Sequence, residues 1–112
     1  MIGAQAIAQM PKGAYLINTA RGGVVDADAV PAAIQSGHLA GVGIDVLERE
    51  PLAADSPLAL AWRDPAHPAY HRLLVNPHAA FYCEEGLLEM RSKGAEACRR
   101  ALCGLPVPNV VN

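Results

Sequence analysis

The chain predicts an α/β fold: an open parallel sheet of about three strands, flanking helices and a long C-terminal helix. Three short apolar runs, within 14–18, 41–46 and 73–76, read as the buried strands of such a sheet. A helix-forming stretch between the first two gives strand, helix, strand with the crossover length of a right-handed βαβ unit. Each run leads into residues able to do chemistry: Arg21 after the first, Asp45 and Glu50 after the second, His78 after the third. In open parallel sheets, ligands gather just beyond the carboxyl ends of the strands. A cation, carboxylates and an imidazole therefore reach one rim.

The elements follow in order. Residues 4–10 are a short helical piece stopped by Pro11-Lys12-Gly13, and the strand at 14–18 ends in polar Asn18-Thr19 and the flexible Gly22-Gly23. A helix over about 27–36 is best started from Asp28 as N-cap, which puts Pro31 at N3, where a missing N–H costs nothing. A start at Asp26 would place Pro31 one turn deeper and lose a hydrogen bond. Val30, Ala33 and Ile34 then face the core, and Gly37 ends the helix. In the strand at 41–46, Gly41 and Gly43 suit close approach of a helix or ligand to the backbone. Residues 51–72 read as an irregular excursion with one turn of helix, followed by the strand at 73–76. The last helix spans about 84–103, with Leu87, Met90, Gly94, Ala97, Cys98, Ala101 and Leu102 on one face. Glu84 and Glu85 open it and Arg99 and Arg100 close it, as the macrodipole favours. Gly104 is the C′ residue.

With 112 residues and 52 % apolar content, the chain is one domain at most, with ample material for a core. A net charge of −2 and a pI near 6.0 give no electrostatic footprint for nucleic acid or an anionic membrane. No run approaches the roughly 18 apolar residues of a spanning helix, and Met1-Ile2-Gly3-Ala4 lacks the basic head of a signal peptide. The chain reads as cytoplasmic. Cys83, Cys98 and Cys103 are odd in number and lack zinc spacing, so reduced thiols are expected, Cys98 and Cys103 buried on the last helix. No metal site is expected. His67 and His71 have the spacing of one helix face, but Pro68 between them argues for a surface loop.

Asn18-Thr19-Ala20-Arg21-Gly22-Gly23-Val24-Val25-Asp26, Ala40-Gly41-Val42-Gly43-Ile44-Asp45-Val46 through Glu50-Pro51, and Asn76-Pro77-His78 occur in that order. Together they resemble the arginine, aspartate–glutamate and histidine signatures of the D-isomer-specific 2-hydroxyacid dehydrogenases, over nearly the whole chain. Pro77-His78-Ala79-Ala80-Phe81-Tyr82, Glu89-Met90-Arg91 and Arg99-Arg100-Ala101 look most like the C-terminal-binding-protein branch. That branch includes NAD(H)-binding corepressors as well as bacterial relatives. Phe81 stands where those corepressors usually carry tryptophan, and Asn76 where threonine usually precedes Pro-His. The resemblance implies a partial Rossmann-like sheet. It makes residues 1–112 the C-terminal portion of a NAD(P)-binding domain, with 84–112 leading back toward a substrate domain outside this sequence.

The resemblance also implies hydride exchange between NAD(P)(H) and a D-2-hydroxy or 2-oxo acid, a small-molecule partner. Arg21 suits the substrate carboxylate, since a guanidinium fork binds it bidentately. His78 suits the proton, as acid for keto reduction and base for oxidation. Glu50 would pair with His78, favour the imidazolium and orient it. Glu48 is the rival carboxylate; the Glu-Pro match selects Glu50 and leaves Glu48 and Arg49 as solvated charges. For the cofactor, the resemblance implies a contact from Asp45 to the nicotinamide carboxamide. It also places Thr19, Ala20 and Arg21, with His78, Ala79, Ala80 and Phe81, along the nicotinamide end. Asp45 could instead cap the turn after its strand.

The sequence holds no Gly-x-Gly-x-x-Gly and no downstream acid to read a ribose 2′-hydroxyl. Family habit suggests NAD, leaves NADP open and suggests a homodimer; none of these rests on residues present here. The chain looks like the last third of such an enzyme and is expected to turn over little 2-oxo acid alone. The contrasting reading is a non-catalytic NAD(H)-binding interaction module of the corepressor kind, or an inactive remnant, since Arg21, Glu50 and His78 are shared by both classes.

Overall fold

Apolar residues at alternate positions of three short runs decide the architecture. A computed structural model describes residues 1–110, which fall into two compact units, Met1–Ala80 and the segment from Phe81 on. The first unit runs α1 (Ala4–Ala8), β1 (Ala14–Asn18), α2 (Val30–Gln35), β2 (Leu39–Ile44), α3 (Pro57–Arg63) and β3 (Leu73–Val75), with 3₁₀ turns at 22–24, 27–29 and 70–72. The strands form one parallel sheet in the order β1-β2-β3. Among the described residues no helix is long and apolar enough to cross a membrane.

Register explains the two sheet faces. Leu16 pairs with Val42 and Val42 with Leu73, while Asn18 pairs with Ile44 and Ile44 with Val75. This row faces the core, where Ile7, Val30, Ile34 and Leu58 from the helices join it. Each large side chain buried there contributes roughly 1.5–3 kcal/mol. The opposite row, Tyr15 with Gly41 and Ile17 with Gly43 and Leu74, leaves Tyr15, Ile17 and Leu74 about 70 % exposed or more. What comes close to Gly41 is the paired strand and the turn before β3: a Cβ there would meet the Tyr15 ring at 3.0 Å and the Arg72 carbonyl at 3.2 Å, whereas at Gly43 it would meet only Ile17 at 3.8 Å.

Several boundaries differ from the sequence reading. α1 stops at Ala8 instead of residue 10. β2 covers 39–44 instead of 41–46, because Leu39 is fully buried and pairs with Ala14, whereas Asp45 turns away to serve a neighbouring loop. The Asp28 cap is also corrected. Asp26 accepts from the Asp28 N–H and opens a 3₁₀ turn, and the α-helix begins only at Val30, with Pro31 in its first turn. The 3₁₀ turn removes the objection to an Asp26 start, and the Asp28 carboxylate instead accepts from the Leu58 N–H at 3.2 Å. Residues 57–63 make two turns of helix, not one, capped by the Ser56 hydroxyl with Pro57 in the first turn.

The second unit carries α4 (Glu84–Leu102). Cys83 is its N-cap, its sulfur accepting from the Gly86 N–H at 3.3 Å, and Gly104 follows it with φ +66°. Lys93–Glu89 and Arg99–Glu96 pairs run along its surface. The helix has no fully buried residue, and Cys98 and Cys103 are exposed, against the burial expected of them.

Candidate active site

The site begins at the end of β1. Asn18 is buried, and its side chain pins the turn that follows: Nδ2 donates to the Arg21 carbonyl at 3.0 Å, and Oδ1 accepts from the Ala20 N–H at 3.1 Å. Thr19 and Ala20 are exposed on this turn, and the Arg21 guanidinium projects outward, donating to the Ala20 carbonyl at 2.7 Å. Gly22, read from sequence as flexible, is buried, and a Cβ there would overlap the Leu47–Glu48 backbone. Its missing side chain lets the arginine turn rest on the loop that leads to Glu50.

That loop sets the acid. The Glu50 carboxylate accepts from the Leu47 N–H at 2.9 Å through Oε1 and meets His78 Nδ1 at 3.0 Å through Oε2. The Glu50–Pro51 peptide is cis. The Leu47 amide first, then His78, hold the Glu50 carboxyl below the usual carboxylate range despite some desolvation. An ionised Glu50 requires His78 Nδ1 to carry a proton, which fixes the ring's orientation. The pair is about half exposed, so salt screens it and its worth lies in geometry more than in stability.

Asp45, a residue only 6 % exposed, follows β2, and its carboxylate holds the histidine loop. Oδ1 accepts from Asn76 Nδ2 at 2.6 Å, Ala79 N–H at 2.8 Å and Ala80 N–H at 3.0 Å; Oδ2 accepts from Ala80 N–H at 3.1 Å. Burial alone would push this carboxyl up, but the bonds from Ala79, Asn76 and Ala80 outweigh it and leave it below its ordinary value. Beside the pair lies a cavity of about 510 Å³ walled by Leu47, Leu52, Trp62 and Val75, within the size range of small-molecule sites.

The structure thus joins Glu50 to His78, joins Asp45 to Ala79 and Ala80, and seats the Arg21 turn on the Glu50 loop. Phe81 opens the second unit, its ring edge-on to Tyr82 at 6.1 Å. Sequence reasoning missed Asn18, Gly22 and Asn76 as builders of the site. A strand-ending Asn and a Gly directly after Arg21 were the available signals. His67 lies on the loop before the 3₁₀ turn at 70–72 that carries His71, with His67 Nδ1 accepting from the Ala69 N–H; among the described residues no cluster could hold a metal.

Comparison with known proteins decides the family. A profile described as D-isomer specific 2-hydroxyacid dehydrogenase, NAD binding domain, matches residues 1–80. The chain belongs to the D-isomer-specific 2-hydroxyacid dehydrogenase family. A D-lactate dehydrogenase of Treponema pallidum is 36 % identical over 110 residues, covering 95 % of this chain and 33 % of its own length. A family member from Xanthobacter autotrophicus, solved in complex with NADPH and MES, superposes with TM-score 0.69 at 38 % identity, over 97 % of this chain and 40 % of its own. The D-lactate dehydrogenase of Aquifex aeolicus, solved with NAD and lactic acid, gives TM-score 0.67 at 32 % identity, over 93 % and 33 %. The chain spans about a third of the length of the relatives it matches.

Proposed function

We propose that this chain supplies the acid–base wall of a NAD(P)-dependent D-2-hydroxyacid dehydrogenase, interconverting a 2-hydroxy acid and its 2-oxo acid. The observation that carries the reading is the 3.0 Å contact of His78 Nδ1 with Glu50, at the carboxyl ends of β2 and β3. Arg21, on its pinned turn, holds the substrate carboxylate through charge-assisted bonds. His78, oriented through Nδ1 by Glu50, delivers a proton from Nε2 to the carbonyl oxygen during reduction and takes it back during oxidation. Glu50 stabilises the imidazolium without touching substrate.

The donor set fits the nicotinamide end of a dinucleotide. Thr19 and Ala20 are exposed beside the end of β1, and Asp45 Oδ2, with a single long bond, retains acceptor capacity for a carboxamide. NAD(H), or NADP(H), supplies or takes the hydride when bound. Arg21, His78, Ala79, Ala80 and Phe81 complete this border in our reading. The Pro77–Tyr82 run favours the C-terminal-binding-protein-like branch. We further assign a cytoplasmic homodimer, in which 84–112 leads from the nucleotide-binding domain toward a substrate domain.

His78→Ala tests the role. Turnover of 2-oxo acid by the protein carrying this chain should fall by about 10²–10⁴, while NADH affinity measured by fluorescence holds. Equal loss of turnover and NADH binding overturns the assignment.

A further inference from the structure

His78 has φ +52°, a backbone region L residues seldom adopt, so neighbouring bonds must hold it there. Its own N–H donates to the Asp45 carbonyl at 2.9 Å and to the Asn76 carbonyl at 3.0 Å. The buried Asp45 carboxylate grips the chain on both sides of the histidine, taking the Asn76 side-chain amide before it and the Ala79 and Ala80 N–H groups after it. We propose that Asp45 and Asn76 form a clasp that positions the His78 imidazole against Glu50, both acting as positioning residues for the proton carrier. This rests on the reading of His78 as that carrier. Its physical basis is local. A loop residue in a sparsely populated conformation keeps its side-chain direction only if the flanking peptides are over-determined, and one carboxylate with several acceptor sites can fix both flanks.

Asn76 is the sharper handle because it is exposed and donates a single bond to Asp45. Threonine could supply that donor from its hydroxyl, and valine has nearly threonine's shape without it. The experiment is NMR of the chain, reading the downfield Nδ1–H resonance of His78, assigned by its loss in His78→Gln, and amide exchange at Ala79 and Ala80. Asn76→Val should abolish or broaden the resonance and quicken exchange at both amides about tenfold or more, while Asn76→Thr keeps both within about twofold of the parent. Asp45→Asn, of equal size, should act in the same direction as Asn76→Val. In turnover, Asn76→Val should lower kcat about tenfold to a hundredfold with the KM for NADH within about twofold.

An unchanged resonance and unchanged exchange in Asn76→Val overturn the clasp, as does an Asn76→Thr chain that behaves like Asn76→Val. A raised KM for NADH at constant kcat also overturns it. The NMR readouts need no turnover. If the protein carrying this chain is inactive although the His78 signals respond, the clasp stands and the dehydrogenase reading falls; an active protein with indifferent signals does the reverse.

Discussion

Two carboxylates sit five residues apart and do opposite kinds of work. Asp45 directly follows β2, is nearly buried and spends its oxygens on backbone and amide donors of the 76–80 loop. Glu50 lies on the loop beyond, is exposed and spends one oxygen on its own loop and the other on an imidazole. Both are held below the ordinary carboxyl range, but by different donors: mainly the Ala79, Asn76 and Ala80 groups for Asp45, and the Leu47 amide with His78 for Glu50. Burial distinguishes a carboxylate that builds a loop from one that pairs with an imidazole at the surface. The buried one cannot shed its partners without leaving them unsatisfied, whereas water can replace the partners of the exposed one.

The strongest way to break the Glu50 side without touching its charge is Gly22→Ala. The new methyl would overlap the Leu47–Glu48 backbone, so the loop holding Glu50 must shift. Overpacking of this kind costs about 1–3 kcal/mol, and backbone contact places it at the upper end. Calorimetry should show a melting midpoint lower by roughly 4–8 °C per kcal/mol, and the His78–Glu50 proton resonance should be lost with it. A variant that melts with the parent shows that the arginine turn does not rest on this loop. Next comes the direct contrast. Asp45→Ala strands the amides of Ala79, Ala80 and Asn76 and should lower the melting midpoint by roughly 5 °C or more, whereas Glu50→Ala should move it by about 2 °C or less. Equal shifts would erase the distinction drawn between them.

Legibility followed the same division. Arg21, Asp45 and His78 stood out because each follows a short apolar run, and periodicity locates such runs well, whereas only the Glu-Pro match separated Glu50 from Glu48; β1 was read to its exact bounds. Asp45 was read as a cofactor contact or a turn cap, and the long-range bonds to Asn76, Ala79 and Ala80 could not be seen, since nothing local marks a partner 31 to 35 residues away. Gly22 looked like slack for the same reason: its constraint comes from residues 47 and 48. The helix start failed on a local matter. A 3₁₀ turn let Asp26 cap the chain without the hydrogen-bond loss that an α-helix would suffer at Pro31. The two turns at 57–63 were underestimated even though Ser56-Pro57 is a sound N-terminal signal, because the Pro- and Ala-rich surroundings masked it.

The smallest expected effect is also the most discriminating. A carboxyl whose folded pKa lies below its ordinary value adds stability that is complete above that value and is lost as pH falls through the folded one. The ordinary values are 3.8 for Asp45 and 4.5 for Glu50, so the window opens near the latter and extends downward. Urea midpoints should be flat from neutrality to about pH 6 and fall below about pH 4.5. Glu89 and Glu96 on α4, held down by Lys93 and Arg99, add slope of the same sign, so each variant is compared with the parent and not with a flat line. Asp45→Asn should flatten the acid limb more than Glu50→Gln, because solvent and salt screen the exposed pair and leave the buried carboxylate's bonds intact. Raising the salt concentration should shrink the Glu50→Gln difference further and leave that of Asp45→Asn in place. If Glu50→Gln flattens the limb more, the exposed carboxylate is the greater structural anchor, and the contrast drawn between the buried Asp45 and the exposed Glu50 is reversed.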